Sequence, residues 1–179
     1  MYRYIIGLYY GRITELNLSG QNLTVLPDLS LYTNLQILRC CNNQLTSLEN
    51  LPPNLQGLYC YENQLTSLDN LPPTLQTLWC SNNQLTSIDN LPPNLQELYC
   101  WNNKITSLDH LPSTLQIVWC SDNQLTSLDN LPPNLRIFNC FPNPIYTICN
   151  ETYGYPSIEK FKKYNEIKQL EKECCPLLK

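Results

Sequence analysis

Leucines recur along this chain at a fixed interval. Leu35, Leu55, Leu75, Leu95, Leu115 and Leu135 stand 20 residues apart. Cys40, Cys60, Cys80, Cys100, Cys120 and Cys140 follow in the same register, as do Asn43, Asn63, Asn83, Asn103, Asn123 and Asn143. One unit, beginning at Leu55, reads LQGLYCYENQLTSLDNLPPN. An earlier unit begins at Ile13, with Leu16, Leu18, Leu23 and Leu26 in matching places. It carries Gln21 where the others have Asn and is 22 residues long. A period of this size marks a solenoid, in which each coil buries its apolar side only by stacking on its neighbours. Seven units run from Ile13 to about Asn150.

Within a unit, Leu58-Tyr59-Cys60-Tyr61 alternates with period two and predicts a short strand. Leu58 and Cys60 point inward, Tyr59 and Tyr61 outward. Strands of successive coils stack in parallel at ~4.8 Å, which predicts a curved sheet roughly 30 Å long. Asn63 stands where the chain leaves the strand, and its amide can satisfy backbone groups of its own and the adjoining coil. Leu65 and Leu68 fill the core behind the strand. Pro72-Pro73 and their equivalents hold the returning segment extended. The fold class expected is therefore a β-rich solenoid, with short parallel strands on the concave face and extended convex segments. Its open ends require caps. Residues 1–12, rich in Tyr and Ile, form the expected N-terminal cap, and 13–150 the repeat array. In 151–179, Ile158, Phe161, Ile167 and Leu170 share one helical face and predict a C-terminal capping helix; the alternative for this segment is a partner-binding amphipathic helix.

With Cys in place of the third leucine, the unit fits L-x-x-L-x-L-x-x-N-x-L and resembles the leucine-rich repeat. The short coil ending in L-P-P-x-L is similar to the class found in secreted bacterial effectors and in giant-virus leucine-rich repeat proteins. The resemblance covers residues 13–150. It departs from the effector pattern at Leu48-Glu49, Leu68-Asp69 and Leu128-Asp129, where Leu-Pro is usual. About 29 residues follow the array, fewer than the catalytic domain of the effector ligases. The resemblance implies a scaffold that binds proteins, and does not imply ligase activity.

Charge narrows the partners. The whole chain carries a formal net charge of −4. Residues 13–150 hold ten acids against three bases, a net of −7. That field disfavours nucleic acid and favours a neutral or basic protein ligand. No run of 18 apolar residues stands ready to span a membrane. The N-terminus makes a poor signal peptide, so the thiols are read as reduced and the protein as cytoplasmic, in its source or in a host cell.

Three features could carry chemistry. The cysteine column could form a metal or redox array, but a straight row of thiols facing leucine lacks converging ligands, and burial raises thiol pKa values. Cys41, by contrast, falls on the outward side and is expected as a surface thiol. The row Glu49, Asp69, Asp89, Asp109 and Asp129 could bind calcium between coils, or could simply cap local backbone groups. His110 lies in the turn beside that row and reads as surface variation. No nucleophile elbow, phosphate loop or zinc motif is present, so neither an enzyme nor a cofactor is expected. The third feature is the outward side of the strands. Position five of successive units runs Arg39, Tyr59, Trp79, Tyr99, Trp119, Asn139; position seven runs Cys41, Tyr61, Ser81, Trp101, Ser121, Phe141. Tyr59, Tyr61, Trp79, Tyr99, Trp101, Trp119 and Phe141 thus form two aromatic columns. Cross-strand stacking accounts for part of this. Exposed Trp and Tyr also mark interaction sites. A protein partner bound by these seven residues is the reading taken; a ubiquitin-ligase substrate adaptor and a carbohydrate binder are the alternatives.

Overall fold

A computed structural model of the chain describes residues 10–145, together with Glu159 and Glu166. Seven three-residue strands lie in chain order in one parallel sheet: β1 (Glu15–Asn17), β2 (Ile37–Arg39), β3 (Gly57–Tyr59), β4 (Thr77–Trp79), β5 (Glu97–Tyr99), β6 (Ile117–Trp119) and β7 (Ile137–Asn139). Register is fixed by the repeat, so Leu16, Leu38, Leu58, Leu78, Leu98, Val118 and Phe138 stand side by side. Each strand begins one residue before the position equivalent to Leu58. Pairing continues past its end, as where the Cys60 amide donates to the Trp79 carbonyl at 2.8 Å. The solenoid expected from the periodicity is the architecture observed. The expected C-terminal capping helix lies outside the described residues, as do the first nine residues of the N-terminal cap. Tyr10 packs its ring 4.9 Å from that of Tyr32. Among the described residues no helix is long and apolar enough to cross a membrane.

The core is one column of leucines backed by thiols. Leu35, Leu55, Leu75 and Leu95, together with Leu58, Leu78 and Leu98, are fully buried. Cys60, Cys80, Cys100 and Cys120 are equally closed to solvent. A thiol suits this slot because it is small and apolar; the first coil fills the same slot with Leu18.

Two polar ladders join the coils. In the first, Asn83 Nδ2 donates to the carbonyls of Cys80 and Cys60, each at 3.1 Å, while its Oδ1 accepts from the Leu65 amide at 2.9 Å. Asn63, Asn103, Asn123 and Asn143 repeat the arrangement. The second ladder precedes the strands and the sequence reading did not find it. Asn54, Asn94 and Asn134 donate to the carbonyls of Thr33, Pro73 and Ser113 at 2.9–3.0 Å. Thr74 and Thr114 take the same place with hydroxyls, to Pro53 and Pro93. Its signal is the Asn or Thr that stands immediately before each repeat leucine.

The prolines do more than keep the return extended. The Leu75 amide donates to the Pro72 carbonyl at 3.1 Å, closing a turn with Pro73 at its second position. Proline presets the backbone angle that position needs. At the other bend, where the chain leaves the strand, one column adopts positive φ: Gly20, Asn42, Glu62, Asn82, Asn102 and Asp122, at 52–69°. Glycine, Asn and Asp tolerate this conformation; Glu62 is the exception in the column.

Cys41 corrects one expectation. Its position in the strand does point outward, yet it is only 5% exposed. Its Sγ lies 2.9 Å from Ser19 Oγ, and its thiol bonds the Tyr61 side chain. Neighbouring coils cover it, which alternation within its own coil could not reveal.

Candidate functional site

The strands present three outward columns, one more than the sequence reading used. Position three adds Glu15, Ile37, Gly57, Thr77, Glu97, Ile117 and Ile137. Period two counted back from position five would have found it.

The aromatic side chains of positions five and seven interlock rather than stand as separate rows. Trp79 is the hub. Its ring centroid lies 5.7 Å from Tyr59, 6.3 Å from Tyr61, 4.4 Å from Tyr99 and 5.9 Å from Trp101. Tyr99 meets Trp101 at 6.3 Å and Trp119 at 6.0 Å; Trp101 meets Trp119 at 6.3 Å. The alternation of large and small residues in column seven explains the fit. Ser81 is fully buried, its hydroxyl donating to the Tyr99 carbonyl at 3.0 Å. Its small side chain leaves Trp79 room to reach both Tyr61 and Trp101. The structure brings Tyr59, Tyr61, Trp79, Tyr99, Trp101 and Trp119 into one cluster of rings. Phe141 takes the place of Tyr61 and Trp101 in the last coil, after β7.

Exposure is graded along the face. Tyr59, Tyr61, Trp79, Tyr99 and Trp101 are half-buried by one another. Trp119 is 41% exposed, Ile137 49% and Phe141 53%. The apolar surface open to solvent thus lies toward β6 and β7.

The polar surroundings are acidic. Tyr99 donates its hydroxyl to Glu97 Oε2 at 3.3 Å, and burial with the nearby Glu97 charge pushes the Tyr99 phenol up from its ordinary value. Glu62 and Asp122 occupy the left-handed column beside the face. Arg39 Nη1 donates to Glu15 Oε2 at 3.2 Å, and the guanidinium carbon lies 5.0 Å from the Tyr59 ring centre.

The other two candidates are structural in their geometry. Burial pushes the Cys40 and Cys100 thiols up to about 12, and raises those of Cys60, Cys80 and Cys120 well above the ordinary value. Such thiols are poor nucleophiles and poor ligands. In the acidic row, Ser87 and Ser107 donate to Asp89 and Asp109 at 2.6 Å and accept from those residues' own amides. Each carboxylate closes its own turn. The Ser87 hydroxyl and then His110, 3.3 Å away, hold the Asp89 carboxyl below its ordinary value. Among the described residues no group of three or more His, Cys, Asp or Glu side chains converges on a metal position.

The family profile Leucine Rich repeats (2 copies) matches residues 53–93, 73–113 and 93–133. No curated protein matches the chain in sequence. Solved structures do. YopM from Yersinia enterocolitica WA-314 is 38% identical with a TM-score of 0.64, over 68% of this chain and 27% of that one. The leucine-rich repeat domain of a Shigella effector is 36% identical with a TM-score of 0.66, over 73% of this chain and 60% of that one. The functional domain of InlJ from Listeria monocytogenes, which includes a cysteine ladder, is 30% identical with a TM-score of 0.57, over 83% of this chain and 37% of that one. This chain spans less than two thirds of each. The matched coils are those that carry the leucine core, the asparagine ladder and the aromatic face. The chain is a short-repeat leucine-rich repeat protein that resembles bacterial effectors.

Proposed function

We propose that the chain is a protein-interaction module that engages its partner through the concave aromatic face, and that it acts by binding rather than by catalysis. The carrying observation is the graded exposure of that face, where interlocked half-buried rings give way to the exposed Trp119 and Ile137. A rigid aromatic base beside open apolar area is the build of a binding hot spot. The tilt between neighbouring rings, 39–57° in most pairs, favours a protein over a sugar, because ring faces turned against each other offer no flat platform. The similarity to effector leucine-rich repeats supports protein binding in general. The buried thiols Cys60, Cys80, Cys100 and Cys120, held in their protonated form, fit a reducing compartment, the cytoplasm of the source or of a host.

The test is capture from cytosolic lysate by the wild type, a Tyr99→Ala/Trp119→Ala variant and a convex-side control, Thr66→Ala/Gln84→Ala. All three must first show the same circular dichroism and melting. A protein captured by the wild type and control, and lost by the aromatic variant, supports the reading. Equal capture by all three overturns it.

A further inference from the structure

The face differs between its two ends in how its charges are satisfied. Near β1 it already holds one guanidinium, with Arg39 between the Glu15 carboxylate and the Tyr59 ring. Toward β6 the same two kinds of partner occur without the cation. Glu97 and Trp119 are diagonal neighbours across the β5–β6 pair. The Glu97 carboxylate accepts from the Tyr99 hydroxyl, and Trp119 exposes much of its ring. Neither the Arg39–Glu15 nor the His110–Asp89 ion pair involves Glu97 or Asp122. Glu97 and Asp122 thus bring to this end charge that neither pair neutralises.

We propose that the β5–β6 end of the face receives an arginine side chain from an extended segment of the partner protein, with Glu97 as its counter-ion and the Trp119 ring as its platform. The inference rests on the concave-face reading and narrows it. Arginine suits the place better than lysine. Its guanidinium is planar, weakly hydrated and able to stack on an indole while bonding a carboxylate, whereas an ammonium is a compact and strongly hydrated point charge. The net −7 of residues 13–150 steers a basic segment toward the array. Arg39 shows that the chemistry works on this surface.

The experiment selects a displayed library of random 12-residue peptides on the full chain. It then measures the selected peptides against the wild type, Glu97→Gln, Trp119→Ala and the convex control. Glu97→Gln keeps an oxygen for the Tyr99 hydroxyl while removing the charge. The expected result is enrichment of arginine over lysine. Affinity should fall roughly tenfold on Glu97→Gln, on Trp119→Ala and on replacing the peptide arginine by lysine, with the control unchanged. Selected peptides that lack arginine, yet lose binding on Trp119→Ala, overturn this inference and leave the concave-face reading standing. Peptides indifferent to Trp119→Ala, or no selected peptide at all, overturn both. A dimer of the chain that Trp119→Ala dissolves seats a second copy here and also overturns the arginine site.

Discussion

Asn83 donates its side-chain amide to the Cys60 carbonyl, 23 residues back and one coil away, at 3.1 Å. The same amide holds Cys80 of its own coil, and its oxygen takes the Leu65 amide. One buried side chain thus satisfies backbone groups from two coils. An Asn83→Ala variant leaves those groups unpaired, with a cost of about 1–3 kcal/mol for each buried group that water cannot reach. We expect a total loss of about 3 kcal/mol or more, measured by urea unfolding. A loss under about 1 kcal/mol would show that the ladder is dispensable.

The thiol column makes stability fall at high pH. Cys40, Cys60, Cys80, Cys100 and Cys120 are raised above the ordinary thiol value of 9.0, so the folded chain keeps protons that the unfolded chain releases. The contribution is whole below pH 9.0 and is lost as pH rises toward about 12. Urea midpoints between pH 8 and pH 11 should drop progressively, and a Cys80→Val variant should drop less. In native buffer at neutral pH these thiols should react with a thiol reagent only as fast as the coils open.

Sequence periodicity carried most of this architecture. Leu58 and Cys60 point inward, as their alternation requires, and Asn63 bridges coils, as its place at the strand exit requires. What escaped was whatever depends on contact between coils. Cys41 obeys the outward phase of its strand, but Ser19 and Tyr61, from the coils on either side, close over it. Likewise, the two aromatic columns were legible as columns, whereas the room that Ser81 leaves for Trp79 is a relation across three coils. Position three mixes Glu, Ile, Gly and Thr and shows no pattern of its own.

Trp79 and Trp119 should separate support from binding. Trp79 packs against Tyr59, Tyr61, Tyr99 and Trp101 and is half-buried; Trp119 packs against Tyr99 and Trp101 and is 41% exposed. Trp79→Ala should cost about 2–3 kcal/mol of stability, and Trp119→Ala about 1 kcal/mol or less. Chemical denaturation of the two variants measures the difference. Equal costs would mean that the rings do not divide into base and binding surface.

Glu62 carries strain that its column does not require. It holds φ at 55° where the equivalent residues in four other coils are Asn42, Asn82, Asn102 and Asp122. The left-handed conformation costs an ordinary L-residue about 1–2 kcal/mol, and Asn relieves part of it through its local hydrogen bonding. Glu62→Asn should therefore stabilise the array by about 1 kcal/mol, read as a raised urea midpoint at unchanged slope. An unchanged or lowered midpoint would contradict the assignment of strain.

The most direct test of the binding account is a footprint. With a captured partner in hand, hydroxyl-radical oxidation of the bare and bound chain reports which side chains the partner covers. The account predicts slower oxidation of Trp119, Trp101 and Tyr99 in the complex, with Val25 and Leu31, exposed elsewhere on the array, unchanged. Unchanged oxidation of the three rings, with protection falling on Val25 or Leu31 instead, would contradict it and move the site off the concave face.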